Sequence, residues 1–243
     1  MSNILQYTIE TYKEHISLIS LFSIAFIIAF MIPIFAPLPT YSDAGGVFLR
    51  IQSLFINMNA FNTIIIIASA MLSLLFLSFA IVAITVVVKH KRTATKITKE
   101  VKDGLERYTT KVFVILLLFT ILFAFISITN YIFKISSLLS SLLILVLTPF
   151  FFYAPASIVI DDSRIVHSMN MSVRFFLKRF DYVLLWLVIA LLLITTINFI
   201  LIEVFNTFIS IYLMFIINSI FILPFLVVLQ GQAYMKRFAL LKM

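Results

Sequence analysis

The chain has 243 residues, of which 63% are hydrophobic and 12% charged, whereas soluble domains carry about 25% charged residues. Its apolar residues form blocks of about 20, long enough to cross a hydrocarbon core about 30 Å thick. These blocks are continuously apolar, which excludes a barrel of alternating strands. The net charge is +8, and the basic residues cluster beside the apolar blocks. This placement favours an anionic membrane surface over nucleic acid as a partner.

The hydropathy pattern predicts an all-α integral membrane protein with a single domain over residues 1–243. Six transmembrane helices are expected, at about residues 16–35, 61–88, 112–133, 138–160, 183–202 and 208–230. We expect them to form three hairpins, each preceded by a cytoplasmic amphipathic interfacial helix. Short matches between the units, such as Phe61-Asn62-Thr63 and Phe205-Asn206-Thr207, fit an internal repeat and also fit chance in so biased a composition.

The first two amphipathic segments are residues 1–15 and 89–111. Apolar or mixed residues of the first segment share one helical stripe: Ile4, Leu5, Thr8, Ile9 and Tyr12. In the second segment, which is rich in Lys and Arg, the residues of one helical face are Ile97, Val101, Leu105 and Tyr108. This spacing is typical of helices that lie in a membrane interface.

The third amphipathic segment, residues 161–182, follows a span that contains Pro149 and Pro155. Each proline frees a backbone carbonyl, so we expect a kinked helix packed inside the bundle. Asp161, Asp162 and Ser163 are predicted to cap the helix that follows. Its predicted apolar stripe is Val166, Met169, Val173, Phe176, Leu177 and Phe180, and its wet side is Arg164, His167, Asn170, Arg174 and Lys178.

The distribution of basic residues predicts the orientation. Six spans place both termini and the segments 89–111 and 161–182 on one side, and that side holds 16 of the 18 Lys and Arg residues. The other side holds only Arg50 and Lys134. Because cytoplasmic loops carry this excess, we expect a multi-pass protein of the cell membrane with both termini in the cytoplasm.

Few residues point to chemistry. The sequence has no cysteine and three histidines, His15, His90 and His167, none at metal-ligand spacing. No nucleophile motif or phosphate-binding glycine loop occurs. We therefore expect neither an enzyme nor a bound cofactor or metal. Three asparagines within the spans, Asn130, Asn198 and Asn218, are candidate buried polar groups, either for helix–helix hydrogen bonds or for a substrate path.

The run PASIVIDDSRIVHSMNMSVRF at 155–175 resembles a prokaryotic family of six-span proteins. They are archaeal and bacterial relatives of the membrane domain of glycerophosphodiester phosphodiesterases. Asp161 and Asp162 match its acidic position, Ser172 its serine, and the pair Arg174-Phe175 its basic-aromatic step. His167 and Asn170 stand where relatives carry an acid and a base. The resemblance implies a membrane module without catalysis, because the phosphodiesterase activity of the family belongs to a separate soluble barrel.

Two functional hypotheses follow. The first is a non-enzymatic module that interacts with membrane lipids, in particular anionic headgroups at the cytoplasmic face, or that serves as a scaffold for a cytoplasmic protein partner. The second is a permease subunit of an ATP-driven transporter, for which six spans and the basic linker 89–111 would be suitable. The spans lack charged residues and are nearly free of glycine, which argues against an ion-coupled transporter.

Overall fold

The computed structural model describes residues 2–36, 38–43, 45–49, 59–90, 97–134 and 137–236. Its helices are α1 (Ser2–Glu14), α2 (Ile16–Phe35), α3 (Ala60–His90), α4 (Ile97–Phe133), α5 (Ser137–Phe152), α6 (Ala154–Asp161), α7 (Ile165–Lys178), α8 (Phe180–Val204), α9 (Thr207–Ile217) and α10 (Leu223–Met235). A π-helical turn, Asn218–Ile222, joins α9 to α10, and strands β1 (Thr40–Asp43) and β2 (Gly46–Leu49) form an antiparallel hairpin.

Six helical stretches are long and apolar enough to cross a membrane. They are Ile16–Phe35, Ala60–His90, Lys99–Phe133, Leu138–Asp161, Phe180–Val204 and Ile209–Met235. The prediction of an α-helical protein with six candidate spans is therefore confirmed. The pairing into three hairpins, the interfacial placement of helices and the side occupied by the termini remain predictions. Part of the 89–111 segment, residues 91–96, lies outside the described residues.

The predicted boundary between a surface helix and the third span, near residue 111, is wrong. Helix α4 continues unbroken for 37 residues, or about 55 Å, well beyond the roughly 30 Å of hydrocarbon. No proline interrupts the run, and the apolar face of its first turns packs on α3 and merges with the span. Val101 and Tyr108 of that face are buried. The basic first turns of α4 are thus a rigid extension of the span.

Helix α3 forms the centre of the bundle. Seven consecutive residues near its end, Val82–Val88, are buried, a pattern that requires neighbours on every side of the helix. Helices α2, α4, α6 and α10 supply those neighbours.

Helix α1 packs along α10, so part of its predicted stripe contacts protein. Ile4, Thr8 and Thr11 are buried, and Gln232 Nε2 donates to Thr11 Oγ1 at 2.9 Å. The Tyr12 hydroxyl lies 3.5 Å from the carbonyl oxygen of Ile220. Pro224, four residues later, has no N–H to offer that carbonyl. Burial raises the pKa of Tyr12 to about 12, so the phenol stays protonated and keeps its donor.

The β-hairpin docks on the π-helical turn. Asn218 Nδ2 donates to the Gly45 carbonyl at 2.8 Å. Gly45 has a φ of +76°, and a Cβ there would lie 2.7 Å from Asn218 Cβ and 2.9 Å from the Met214 carbonyl oxygen. Glycine is therefore required twice, for its positive φ and for the close approach.

We expect Gly45→Ala to release the hairpin from this dock. Amide hydrogen exchange at residues 46–49 should rise, because the dock holds the hairpin against the bundle, and the thermal midpoint in detergent should fall. Gly46→Ala is the matched control, since its Cβ would meet only the movable Phe48 ring, at 3.0 Å. Equal exchange in both variants would contradict the docking role of Gly45.

Candidate functional site: a polar joint beneath helix α7

Polar contacts between helices support the point where α5 breaks into α6. In an unbroken helix the Tyr153 N–H would donate to the Pro149 carbonyl. Instead the Ser172 hydroxyl of α7 lies between them. It accepts from Tyr153 N at 2.9 Å and donates to Pro149 O at 2.6 Å. A side chain inserted into the hydrogen-bond ladder is a recognised cause of a helix kink.

A second carbonyl at the break is satisfied from another helix. Phe152 is the last residue of α5, and its carbonyl accepts from Gln230 Nε2 of α10 at 2.5 Å. We call Pro149, Tyr153, Ser172 and Gln230 the polar joint. It joins α5, α6, α7 and α10 through hydrogen bonds to backbone groups at the break. Without these bonds the backbone groups would be unpaired in an apolar surrounding.

Aromatic rings enclose the polar joint. The Tyr153 ring packs edge-on to Phe175, with ring centroids 4.8 Å apart. Trp186 of α8 packs edge-on to Phe152 at 5.1 Å and donates from Nε1 to the Leu226 carbonyl at 2.9 Å. The only tryptophan of the chain therefore reports on this region.

The acidic pair ends α6, and its predicted role as an N-terminal cap of the next helix is wrong. The N-cap residue of α7 is Arg164, and no side chain caps the helix there. Asp162 instead closes α6 in the left-handed conformation, with a φ of +51°, which aspartate tolerates better than most residues. The Ser163 hydroxyl lies 3.3 Å from that of Ser157.

The two carboxylates bind residues of other helices. Asp161 accepts from the Tyr234 hydroxyl of α10 at 2.6 Å. Asp162 pairs with Arg107 of α4 and lies 3.6 Å from Lys111 Nζ. Lys89 of α3 donates to the Val159 carbonyl at 2.7 Å, close to the C-terminus of α6. We call these contacts the basic end of the bundle, because Lys89 of α3 and Arg107 and Lys111 of α4 meet α6 and α10 there.

Replacing Asp162 should separate backbone strain from charge. Asp162→Gly keeps the left-handed conformation and removes the ion pairs, so we expect a loss of less than about 1 kcal/mol of unfolding free energy for these partly exposed pairs. Asp162→Ala also removes the ion pairs but keeps a Cβ in that conformation without the polar side chain that lets aspartate adopt it, so it should lose about 1–2 kcal/mol more than Asp162→Gly. Denaturant titrations in mixed micelles measure both. Equal stability of the two variants would mean that the conformation at 162 is not fixed.

The structure does not gather the predicted site residues into one site. Ser172 and the two prolines belong to the polar joint or its helices, whereas Arg174 is exposed on α7. Asn218 is buried but bonds a loop carbonyl rather than another helix. Asn130 and Asn198 are half-buried. None of these asparagines lines the three clefts beside α4, which are lined by Gly104, Thr109 and Lys102 in turn.

Helix α7 has three faces, and its apolar residues divide between two of them. The face toward the bundle buries Ser168, Ser172, Phe175 and Phe176. Of the predicted stripe, Phe176 is buried against the bundle, whereas Val166 is 72% and Leu177 70% exposed. With the half-buried Val173 they form a second apolar face of α7, whereas Phe180 is the first residue of α8 and packs against Phe176 at 5.7 Å. His167, Asn170, Arg174 and Lys178 lie exposed on the third, polar face.

Among the described residues, no group of three or more His, Cys, Asp and Glu side chains is placed to hold a metal ion. His90 instead pairs with Glu100, with 2.5 Å between Nδ1 and Oε2.

Comparison with protein-family models, curated proteins and solved structures finds no match to this chain. The family resemblance of the 155–175 run is therefore still an expectation, and the function rests on the geometry.

Sequence reasoning missed Gln230, Tyr234 and Arg107, which complete the polar joint and the basic end. One sequence signal for the first two was available. Gln230 and Tyr234 lie one helical turn apart near the end of an apolar span, where polar side chains need partners. No local pattern identifies Arg107, because its partner lies 55 residues away.

Proposed function

We propose that this chain is a non-enzymatic, multi-pass module of the cell membrane that interacts with lipids through helices at its cytoplasmic face. In this proposal the spans form three hairpins, both termini are cytoplasmic, and the basic end of the bundle faces the cytoplasm. Anionic headgroups are the preferred lipids there. A cytoplasmic protein partner is a further occupant of the same face.

The single observation that carries the proposal is the three-faced surface of α7. In water, the exposure of Val166 and Leu177 would leave apolar surface uncovered, at a cost of about 25 cal/mol per Å². A helix in the hydrocarbon core would not expose His167, Arg174 and Lys178. A helix at the membrane interface accounts for both the exposed apolar and the exposed polar residues. Its bundle face packs on protein, its second apolar face contacts acyl chains and its polar face lies among the headgroups.

The basic residues near α7 favour anionic lipids. Arg174 and Lys178 lie on the polar face of α7, and Lys111 and Arg107 lie at the nearby basic end. Near an anionic surface each basic residue contributes about 1 kcal/mol to the attraction. The exposed surface of α7 carries no acidic side chain between Ile165 and Lys178, so that attraction is not offset within the helix.

The test reconstitutes the full chain into vesicles with nitroxide-labelled phosphatidylglycerol or phosphatidylcholine of equal chain length. Electron paramagnetic resonance then measures the fraction of each lipid slowed by the protein. We expect a larger slowed fraction for phosphatidylglycerol, and we expect Arg174→Gln with Lys178→Gln to reduce that difference. Lys134→Gln, on the side predicted to be external, is the control and should leave it unchanged.

Two outcomes would overturn the proposal. One is an equal slowed fraction for both lipids in the wild-type protein. The other is a preference that survives the double substitution and disappears in the Lys134 control, which would place the lipid-binding face at the opposite end.

A further inference from the structure

A groove runs along the bundle between α2 and α4, with α3 behind it. Helices α2 and α4 each pack on α3, and two clefts open between them, with volumes of about 450 and about 310 Å³. Both are lined by Leu21 of α2, so they adjoin. We call the pair the lateral groove.

The lateral groove is apolar along its length and cationic at one end. Ala25 of α2 and Phe79 of α3 line its larger part, and Leu105 and Lys102 of α4 line its smaller part. Lys102 is exposed. A lysine in this position covers apolar surface with its carbon chain and holds its ammonium group at the rim.

A hydroxyl within the groove has no partner. The Thr109 Oγ1 atom is buried and makes no hydrogen bond with any described residue, although threonines of helices commonly bond the carbonyl four residues back. Thr109 lies seven residues from Lys102, which is about 10 Å along the helix axis. A ligand in the groove would therefore meet a cation first and, deeper, the side chain of Thr109, whose hydroxyl has no partner among the described residues.

We infer that the lateral groove binds one acyl chain of an anionic phospholipid. The order of chemistry along the groove matches such a lipid: the phosphate group at Lys102, an ester carbonyl at the Thr109 hydroxyl and the chain along Leu21 and Ala25. A basic recess between spans on the cytoplasmic side is a recurring binding mode for anionic lipids. This inference rests on the proposed function and names one specific site within it.

Native mass spectrometry of the delipidated full chain tests the inference, with phosphatidylglycerol and phosphatidylcholine of the same chains offered in detergent. We expect one retained phosphatidylglycerol, at about fivefold higher occupancy than phosphatidylcholine. Lys102→Gln should remove the preference and keep binding of both lipids. Ala25→Phe should lower the binding of both by about tenfold, because the ring takes the place of several methylenes.

Ile24→Trp is a second filling variant for the case in which Ala25→Phe does not fold. Ile24 lines the same cleft but is already half-exposed, so the larger ring fills the groove from its edge. Leu192→Trp on the exposed surface of α8 is the control and should retain lipid as the wild type does. Thermal unfolding of each variant in detergent shows which of them are folded.

Folded filling variants that retain the lipid at the wild-type level would overturn the inference. So would filling variants that leave lipid retention unchanged and alter the oligomeric state, since the groove would then be a protein contact. If the vesicle experiment shows a preference for phosphatidylglycerol but mass spectrometry finds no retained lipid that depends on the groove, only this inference is overturned. An absence of preference in both experiments would overturn the proposed function as well.

Discussion

Ser172→Ala is expected to lower the free energy of unfolding by about 2–4 kcal/mol. The substitution removes a hydroxyl that accepts from Tyr153 N–H and donates to the Pro149 carbonyl. The buried Tyr153 N–H and the half-buried Pro149 carbonyl then lose their partner, and each such loss costs about 1–3 kcal/mol for a buried group. The Gln230 contact with the Phe152 carbonyl fixes the end of α5, which opposes direct closure of the helix. A reversible denaturation titration in mixed micelles measures the loss.

The control for this prediction lies one turn away on the same helix. Ser168 is as buried as Ser172, but its hydroxyl donates only to the Ile165 carbonyl of its own helix, at 2.6 Å. Ser168→Ala should therefore lose less than about 1 kcal/mol. Trp186 emission should change in the Ser172 variant and stay constant in the control. Equal losses in the two variants would show that the inserted hydroxyl is not what supports the joint.

Gly104→Ala is expected to lower the unfolding free energy by about 1–3 kcal/mol through overpacking. A Cβ at position 104 would lie 2.6 Å from Val86 Cγ2, and Val86 is buried in the centre of the bundle. Helices α3 and α4 must then move apart or distort. In an isolated helix the same change would be favourable by about 1 kcal/mol, so the sign of the effect identifies the close approach.

A second-site variant tests that explanation. Val86→Ala removes both Cγ atoms, so Gly104→Ala in this background should be neutral or stabilising, while Val86→Ala alone leaves a cavity and is destabilising. Gly231→Ala is a milder case, because its Cβ would lie 3.2 Å from Val88 Cγ1. A Gly104→Ala loss that is unchanged by Val86→Ala would mean that the helices do not meet at these residues.

The six spans could be predicted because hydropathy over 20 residues is a local property of the chain. The residue at which a helix ends depends also on helix-breaking residues and on packing against other helices. The first turns of α4 read as a separate surface helix, since Lys99, Lys102 and Arg107 are charged, yet nothing between 97 and 133 breaks a helix. The absence of proline there was a signal for the continuous α4.

The polar joint could not be derived from local pattern. The two prolines predict a kink between residues 149 and 155, but the carbonyls of Pro149 and Phe152 accept from Ser172 and Gln230, which lie on helices later in the chain. Asp162 was misassigned for a related reason. An acid between two helices can end the first or begin the second, and only the packing of α4 against α6, which brings Arg107 to it, decides between them.

A nitroxide accessibility scan of α7 tests the central claim, that this helix lies in the membrane interface. The chain has no cysteine, so single cysteines at Val166, Leu177, His167 and Arg174 can each carry a label in the reconstituted protein. We expect labels at 166 and 177 to collide mainly with oxygen, which concentrates in lipid, and labels at 167 and 174 mainly with a water-soluble nickel chelate. Four labels with the same aqueous accessibility would contradict the interfacial placement of α7.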